Sequence, residues 1–143
     1  MPRIRSALAL LMLGNAAPLF AAPHAPVTCT TAERLPLGQI WQTKSRTPAS
    51  AITIGKLYRT AQTSSGYSIT VKRADRYRVA TDKKVWIELS RDGASITSTS
   101  HQRAATCSGI HKIVDFNLQP GHYALSFKDS ADADVKFIIV RAR

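Results

Sequence analysis

The chain has 143 residues and is strongly basic, with 20 lysines and arginines against nine acidic residues and a net charge of +11. This length predicts one domain built around one core. The apolar run near the N-terminus, Ala7 to Leu13, is far shorter than the roughly 20 residues of a membrane-spanning helix, and no later segment comes close to that length. No transmembrane segment is therefore expected in the mature chain.

The N-terminus has the three-part layout of a secretory signal peptide. Arg3 and Arg5 precede the apolar run, and small residues continue to Ala21 and Ala22. We expect residues 1–21 to form a leader that is cleaved after Ala21, which places the mature protein in the periplasm or outside the cell. Loss of two basic residues leaves 18 against nine acidic residues, a net charge of +9. Such a charge favours anionic partners.

Residues 22–50 contain four prolines and little apolar periodicity. They predict an extended arm with at most a short helical turn at Thr31 to Leu35. Cys29 lies in this arm, and Cys107 is the second of the two cysteines in the sequence. In an oxidising compartment two cysteines have one intramolecular pairing, so we expect a disulfide between them.

From residue 51 to residue 143, apolar and polar residues alternate with the period of a β-strand. Asp92-Gly93 and Pro120-Gly121 are typical turn sequences. Short strands with short connections predict an all-β domain, a single antiparallel sandwich with a meandering order. The expected strands are Ala51 to Leu57, Tyr67 to Lys72, Arg76 to Ala80, Val85 to Ser90, Ala94 to Ser100, Ile110 to Leu118, His122 to Lys128 and Val135 to Val140.

The alternation also assigns one phase of each strand to the core. The residues expected to face inward are Ile69, Val71, Tyr77, Val79, Val85, Ile87, Leu89, Val114, Phe116, Leu118, Tyr123, Leu125, Phe127, Val135, Phe137 and Ile139.

Motifs that carry catalysis are absent from the sequence, including the Gly-x-Ser-x-Gly elbow, His-Glu-x-x-His and phosphate-binding glycine loops. We therefore expect a non-catalytic protein without a cofactor. A hydrolase with a site assembled in space is one alternative. Another is a metal or haem carrier that uses His101, His111 and Cys107, which requires Cys107 to be a free thiolate.

Two stretches resemble the small secreted bacterial β-sandwiches of the pre-peptidase C-terminal type. The strand Val85-Trp86-Ile87-Glu88-Leu89 leads into Asp92-Gly93, and Leu118 to Tyr123 reads Leu-x-Pro-Gly-x-Tyr. The similarity covers about half of the mature chain. It implies a sandwich of this or a jelly-roll kind, and an accessory module that acts by binding.

Arg76, Arg78 and Trp86 are the candidate ligand-binding residues. Each falls on the outward phase of its strand, and neighbouring antiparallel strands would bring them together. Guanidinium groups attract phosphates and carboxylates, and an indole stacks on sugars or anchors a protein. The expected partner is an anionic glycan, a lipid headgroup or an envelope protein, and not nucleic acid. Alternatively, Trp86 is buried under the arm together with Trp41.

Overall fold

The computed structural model describes residues 28–34, 36–61, 66–128 and 134–143. The expected leader and the first residues of the arm, 22–27, lie outside this part of the chain. The helices are α1 (Thr31–Arg34) and two 3₁₀ helices, Gly38–Gln42 and Thr106–Ser108. The strands are β1 (Ala51–Ile52), β2 (Leu57–Thr60), β3 (Tyr67–Val71), β4 (Asp75–Thr81), β5 (Trp86–Arg91), β6 (Ala94–Ser95), β7 (Ser100–Gln102), β8 (Lys112–Leu118), β9 (Gly121–Lys128) and β10 (Val135–Arg141).

These strands form two five-stranded sheets that pack as a sandwich, which confirms the predicted fold class. Sheet A has the order β2-β10-β4-β8-β7, and sheet B has the order β1-β3-β9-β5-β6. The strand pairs are antiparallel apart from β1 and β3, which are parallel. The predicted meander is wrong, because β3, β4 and β5 alternate between the two sheets, as do β8, β9 and β10.

Three connections explain this difference. The predicted strand Ala51 to Leu57 is divided at Gly55, whose φ of 83° turns the chain from β1 in sheet B to β2 in sheet A. The predicted strand Ala94 to Ser100 divides in the same way into β6 and β7. Pro120-Gly121 joins β8 to β9 across the sandwich, so this turn is not a hairpin within one sheet.

Asp92-Gly93 makes the expected turn, and this turn closes a hairpin within one sheet. The two residues have φ values of 51° and 77°, and they connect β5 directly to β6 in sheet B. Positive φ at both central positions is the geometry of a type I′ turn, whose twist matches that of the flanking strands.

The core lies between the sheets. Every residue assigned to the inward phase belongs to one buried cluster, which Ile52, Tyr58 and Tyr67 complete. Phe137 lies near its centre, with ring centroids 4.8 Å from Phe127 and 5.6 Å from both Tyr58 and Tyr67. The period-two pattern therefore identified the inner face of both sheets correctly.

A second cluster covers the outer face of sheet A. Trp41, on the 3₁₀ helix Gly38–Gln42, is only 2% exposed. Lys136 Nζ donates to the Trp41 carbonyl at 2.9 Å and lies 4.5 Å from the centroid of its ring. Burial, followed by repulsion from Arg59, lowers the pKa of Lys136. The arm is thus packed onto the sandwich, over Leu57, Ala80, Ile110, Ile113 and Ile138.

The predicted disulfide between Cys29 and Cys107 is present, with Cα atoms 6.5 Å apart. It ties α1, where the sequence predicted a short helical turn, to the 3₁₀ helix Thr106–Ser108. The prediction of at most one helical turn in the arm is wrong, because Gly38–Gln42 forms a second one. Disulfides are typical of oxidising, extracytoplasmic compartments. Within the described residues, no helix is long and apolar enough to cross a membrane.

Candidate functional site

The structure separates the three residues that the sequence grouped as a ligand-binding face. Arg76 and Arg78 lie on β4 in sheet A, whereas Trp86 begins β5 in sheet B. Because β4 pairs with β8 and β10 and β5 pairs with β6 and β9, the expected contact across neighbouring strands is wrong. A role in ligand binding for each residue separately stays a prediction.

Arg78 has a structural partner. It lies directly opposite Asp115 on β8 and makes a bidentate pair with it, through Nε at 2.7 Å and Nη2 at 2.8 Å. Arg76 Nε lies 3.8 Å from the same carboxylate, which is buried. The hydrogen bonds from Arg78 lower the pKa of Asp115, and Asp115 in turn raises the pKa of Arg78. This pair neutralises Arg78.

Trp86 is not covered by the arm, since 58% of it is exposed. Lys112 Nζ lies 5.3 Å from the centroid of its ring and donates to the Val85 carbonyl. Lys128, opposite Trp86 on β9, forms an ion pair with Glu88 and thereby lowers the pKa of that carboxyl. The indole is therefore accessible, with Lys112 near its ring and Lys128 opposite it on β9.

The metal alternative loses its thiolate, because Cys107 is bonded to Cys29. His101 is exposed on β7, and His111 is half-buried just before β8. Across residues 28–34, 36–61, 66–128 and 134–143, no group of three histidine, cysteine or acidic side chains has the arrangement of a metal site.

A groove of about 1070 Å³ lies at one edge of the sandwich. Its walls are residues 36–40 of the arm, the edge strand β1 with the turn that follows it, and the last residues of the chain, 140–143. The outer side of β3, the β3–β4 turn, and Tyr77 and Arg78 of β4 complete the lining. This volume is slightly above the roughly 300 to 1,000 Å³ that is typical of small-molecule sites.

The groove is basic. Its lining includes five cationic side chains and no aspartate or glutamate side chain. The cations are Lys72, Arg73, Arg78, Arg141 and Arg143. Arg78 pairs with Asp115, and Arg141 Nη1 lies 3.8 Å from Asp75. The other three cations have no ion-pair partner in the described part of the chain.

No family model matches this chain, and no curated protein or solved structure matches it. The similarity to pre-peptidase C-terminal sandwiches thus stays a prediction, and the function is argued from the groove itself.

Hydrogen bonds at the ends of three strands position the cations of the groove. Tyr77 Oη donates to the Arg73 carbonyl at 2.9 Å, which fixes the turn between β3 and β4. Arg141 is the register partner of Tyr77, and Ala142 N donates to the Arg76 carbonyl at 2.8 Å. These contacts bring the C-terminal residues beside the β3–β4 turn.

Sequence reasoning missed this site, because its residues are far apart along the chain. A partial signal exists. Lys72 ends a predicted strand and Arg73 directly follows it, and the last predicted strand ends immediately before Arg141. Such pairs at strand ends become one site only when the order of the strands is known.

Proposed function

We propose that this chain is an exported, non-catalytic binding protein that takes an anionic ligand in the groove. The observation that carries the proposal is the charge of the lining, which contains no aspartate or glutamate side chain. Three of its cations, Lys72, Arg73 and Arg143, have no ion-pair partner among the described residues. The disulfide and the leader pattern of residues 1–21 support a place in the periplasm or outside the cell.

Electrostatics explains why the ligand is an anion. Like charges that converge on one cavity repel each other, and a bound anion converts that repulsion into attraction. Guanidinium groups also bind phosphate, sulfate or carboxylate through charge-assisted hydrogen bonds, which are stronger than neutral ones. Arg73 and Arg143 supply such groups in the groove. The overall excess of basic residues attracts the same partners from a distance.

Charge reversal in the groove tests the proposal. The double variant Lys72→Glu, Arg73→Glu is compared with Lys84→Glu, Arg103→Glu, which changes the net charge equally at exposed positions outside the lining. We expect the groove variant to lose at least tenfold in affinity for heparin, a polysulfated glycan, at 150 mM salt. The control variant should lose less than threefold. Equal losses would show that binding depends on total charge and would overturn the groove as the site.

A second candidate function rests on Trp86. An indole that is 58% exposed, with Lys112 and Lys128 beside it, has the features of a platform for an acidic sugar. Trp86→Ala should then weaken binding to an immobilised acidic polysaccharide such as alginate, while Trp86→Phe retains most of it. Unchanged retention of Trp86→Ala would remove this candidate.

A further inference from the structure

We infer that the ligand of the groove is a single amphiphilic molecule, with an alkyl chain and an anionic head group. This inference rests on the proposed function, because the head group would bind the same cations. It adds the chemistry of the rest of the ligand, which charge alone does not define. The groove supplies apolar surface as well as positive charge.

The apolar surface comes from four half-buried side chains. Leu37 and Ile40 belong to the arm, Ile54 to the turn between β1 and β2, and Val140 to the end of β10. Among the described residues, six partly buried hydrophobic residues flank the two buried clusters, and these four of them line the groove. Incompletely covered aliphatic side chains are therefore concentrated at this site.

These four residues also belong to the edges of both buried clusters. Ile54 packs against the core between the sheets, whereas Leu37, Ile40 and Val140 pack against the cluster around Trp41. The groove thus lies where both apolar cores reach the surface. An alkyl chain placed there would remove side chains of both clusters from water.

Neither a purely polar nor a purely apolar ligand matches this lining. A hydrophilic anion satisfies Lys72, Arg73 and Arg143 but leaves the aliphatic wall in water. A hydrocarbon covers that wall but leaves desolvated cations without a counter-charge, which is unfavourable. A molecule with both parts satisfies both surfaces, and about 1070 Å³ is more space than a small anion occupies.

A series of alkyl phosphates tests the inference. Octyl, decyl and dodecyl phosphate are titrated into the mature protein by calorimetry, below their micelle-forming concentrations, beside inorganic phosphate. We expect affinity to rise by up to about fourfold for each added methylene group. Inorganic phosphate should bind at least a hundredfold more weakly than dodecyl phosphate. Equal affinities for the three alkyl phosphates would show that the alkyl chain does not contribute to binding and would overturn the inference.

Two variants separate the contributions of the chain and the head group. Ile54→Thr with Val140→Thr should reduce the dependence on chain length. Ile96→Thr is the matched control, because Ile96 is also partly buried against the core but does not line the groove. Lys72→Glu with Arg73→Glu should weaken the three alkyl phosphates by a similar factor. Thermal unfolding of each variant confirms that it is folded under the conditions of the titration.

The remaining outcomes distinguish this inference from the proposed function. Heparin binding that depends on Lys72 and Arg73, without binding of any alkyl phosphate, would overturn the inference that the ligand is amphiphilic. The proposed anion-binding function of the groove would then still hold. Failure of both probes would overturn both statements. Binding to phosphatidylglycerol vesicles, without binding of monomeric dodecyl phosphate, would identify a membrane surface as the partner and also overturn the inference.

Discussion

Two tryptophans in this chain have the same kind of neighbour and opposite environments. Trp41 lies 4.5 Å from Lys136 Nζ and is 2% exposed, whereas Trp86 lies 5.3 Å from Lys112 Nζ and is 58% exposed. The lysine near each ring therefore does not determine whether the tryptophan is buried. The outer face of sheet A beneath Trp41 carries Leu57, Ala80, Ile113 and Ile138, while the strand residues around Trp86 on sheet B include Glu88 and Lys128.

Trp41, on the arm, is buried because it meets the apolar outer face of a sheet, whereas Trp86, on a strand, stays exposed because no apolar layer covers it. Sheet A has an apolar outer face and is covered by the arm. Sheet B presents polar side chains on the face of Trp86, such as Glu88 and Ser126, and 58% of that indole is exposed. The four predictions below test this difference, from the largest expected effect to the smallest.

Trp41→Ala should destabilise the protein by about 3 to 5 kcal/mol, because it removes the largest side chain of the second cluster. Urea unfolding followed by circular dichroism measures this change. Phe137→Ala, in the core between the sheets, should have an effect of the same size. A loss below about 1 kcal/mol for Trp41→Ala would show that the arm does not hold the packed position in solution.

Replacing both Cys29 and Cys107 with serine should destabilise the fold by about 2 to 5 kcal/mol, since the bridge closes a long loop with a sequence separation of 78. The arm then has fewer constraints. Trp41→Ala should therefore be less harmful in the serine variant than in the parent protein, and a double-mutant cycle measures that coupling. Full additivity would contradict a link between the bridge and the packing of Trp41.

Asp115→Asn should cost about 1 to 3 kcal/mol at neutral pH, because it weakens the bidentate pair with Arg78 on the same outer face of sheet A. The pKa of Asp115 is lowered below its ordinary value of 3.8, chiefly by hydrogen bonds from Arg78. Its charged form stabilises the fold above that value, and this stability is lost as the pH falls through the lowered pKa.

Unfolding free energies measured between pH 7 and pH 2 check whether the contribution of Asp115 to stability falls in acid. The difference between the parent protein and Asp115→Asn should shrink below pH 3.8. Asp75→Asn is the matched control, because Asp75 is exposed and its side chain lies 3.8 Å from Arg141. If the difference grows in acid, the assignment of Asp115 as the stabilising carboxylate is wrong.

Trp86→Ala should change stability by less than about 0.5 kcal/mol, as expected for an exposed side chain. Fluorescence quenching by acrylamide provides a direct comparison of the two indoles. The variant Trp41→Phe, which retains only Trp86, should be quenched strongly, and Trp86→Phe should be quenched weakly. The reverse order would place Trp86, and not Trp41, under the arm.

The inner faces of both sheets were predictable from the sequence. Alternation with a period of two depends on the local geometry of a strand, so it assigned Ile69, Phe116 and Phe137 to the core without knowledge of the partners of their strands. The disulfide was predictable because two cysteines allow one pairing. The type I′ turn at Asp92-Gly93 was predictable from its own residues.

The sequence also contains a pattern that indicates the second cluster, although a search for alternating residues does not detect it. Phe137-Ile138-Ile139 is a continuous apolar run, which is typical of a strand that is covered on both faces. All three residues are fully buried, with Ile138 directed toward Trp41 and its neighbours. The sequence therefore indicated that sheet A has a covering layer, but it did not indicate which segment supplies it.

Local physics in the sequence determined the strands, the inner core, the bridge and the positive charge. Only the tertiary structure decided which strands pair. This pairing places Arg78 opposite Asp115, puts Arg78 and Trp86 in different sheets, and brings the residues of the groove together. The reason is that the period of a strand is set by its own backbone. Its partner is set by the free energy of contacts between residues that are distant in sequence, and Lys72 and Arg143 meet only when β3, β4 and β10 have assembled.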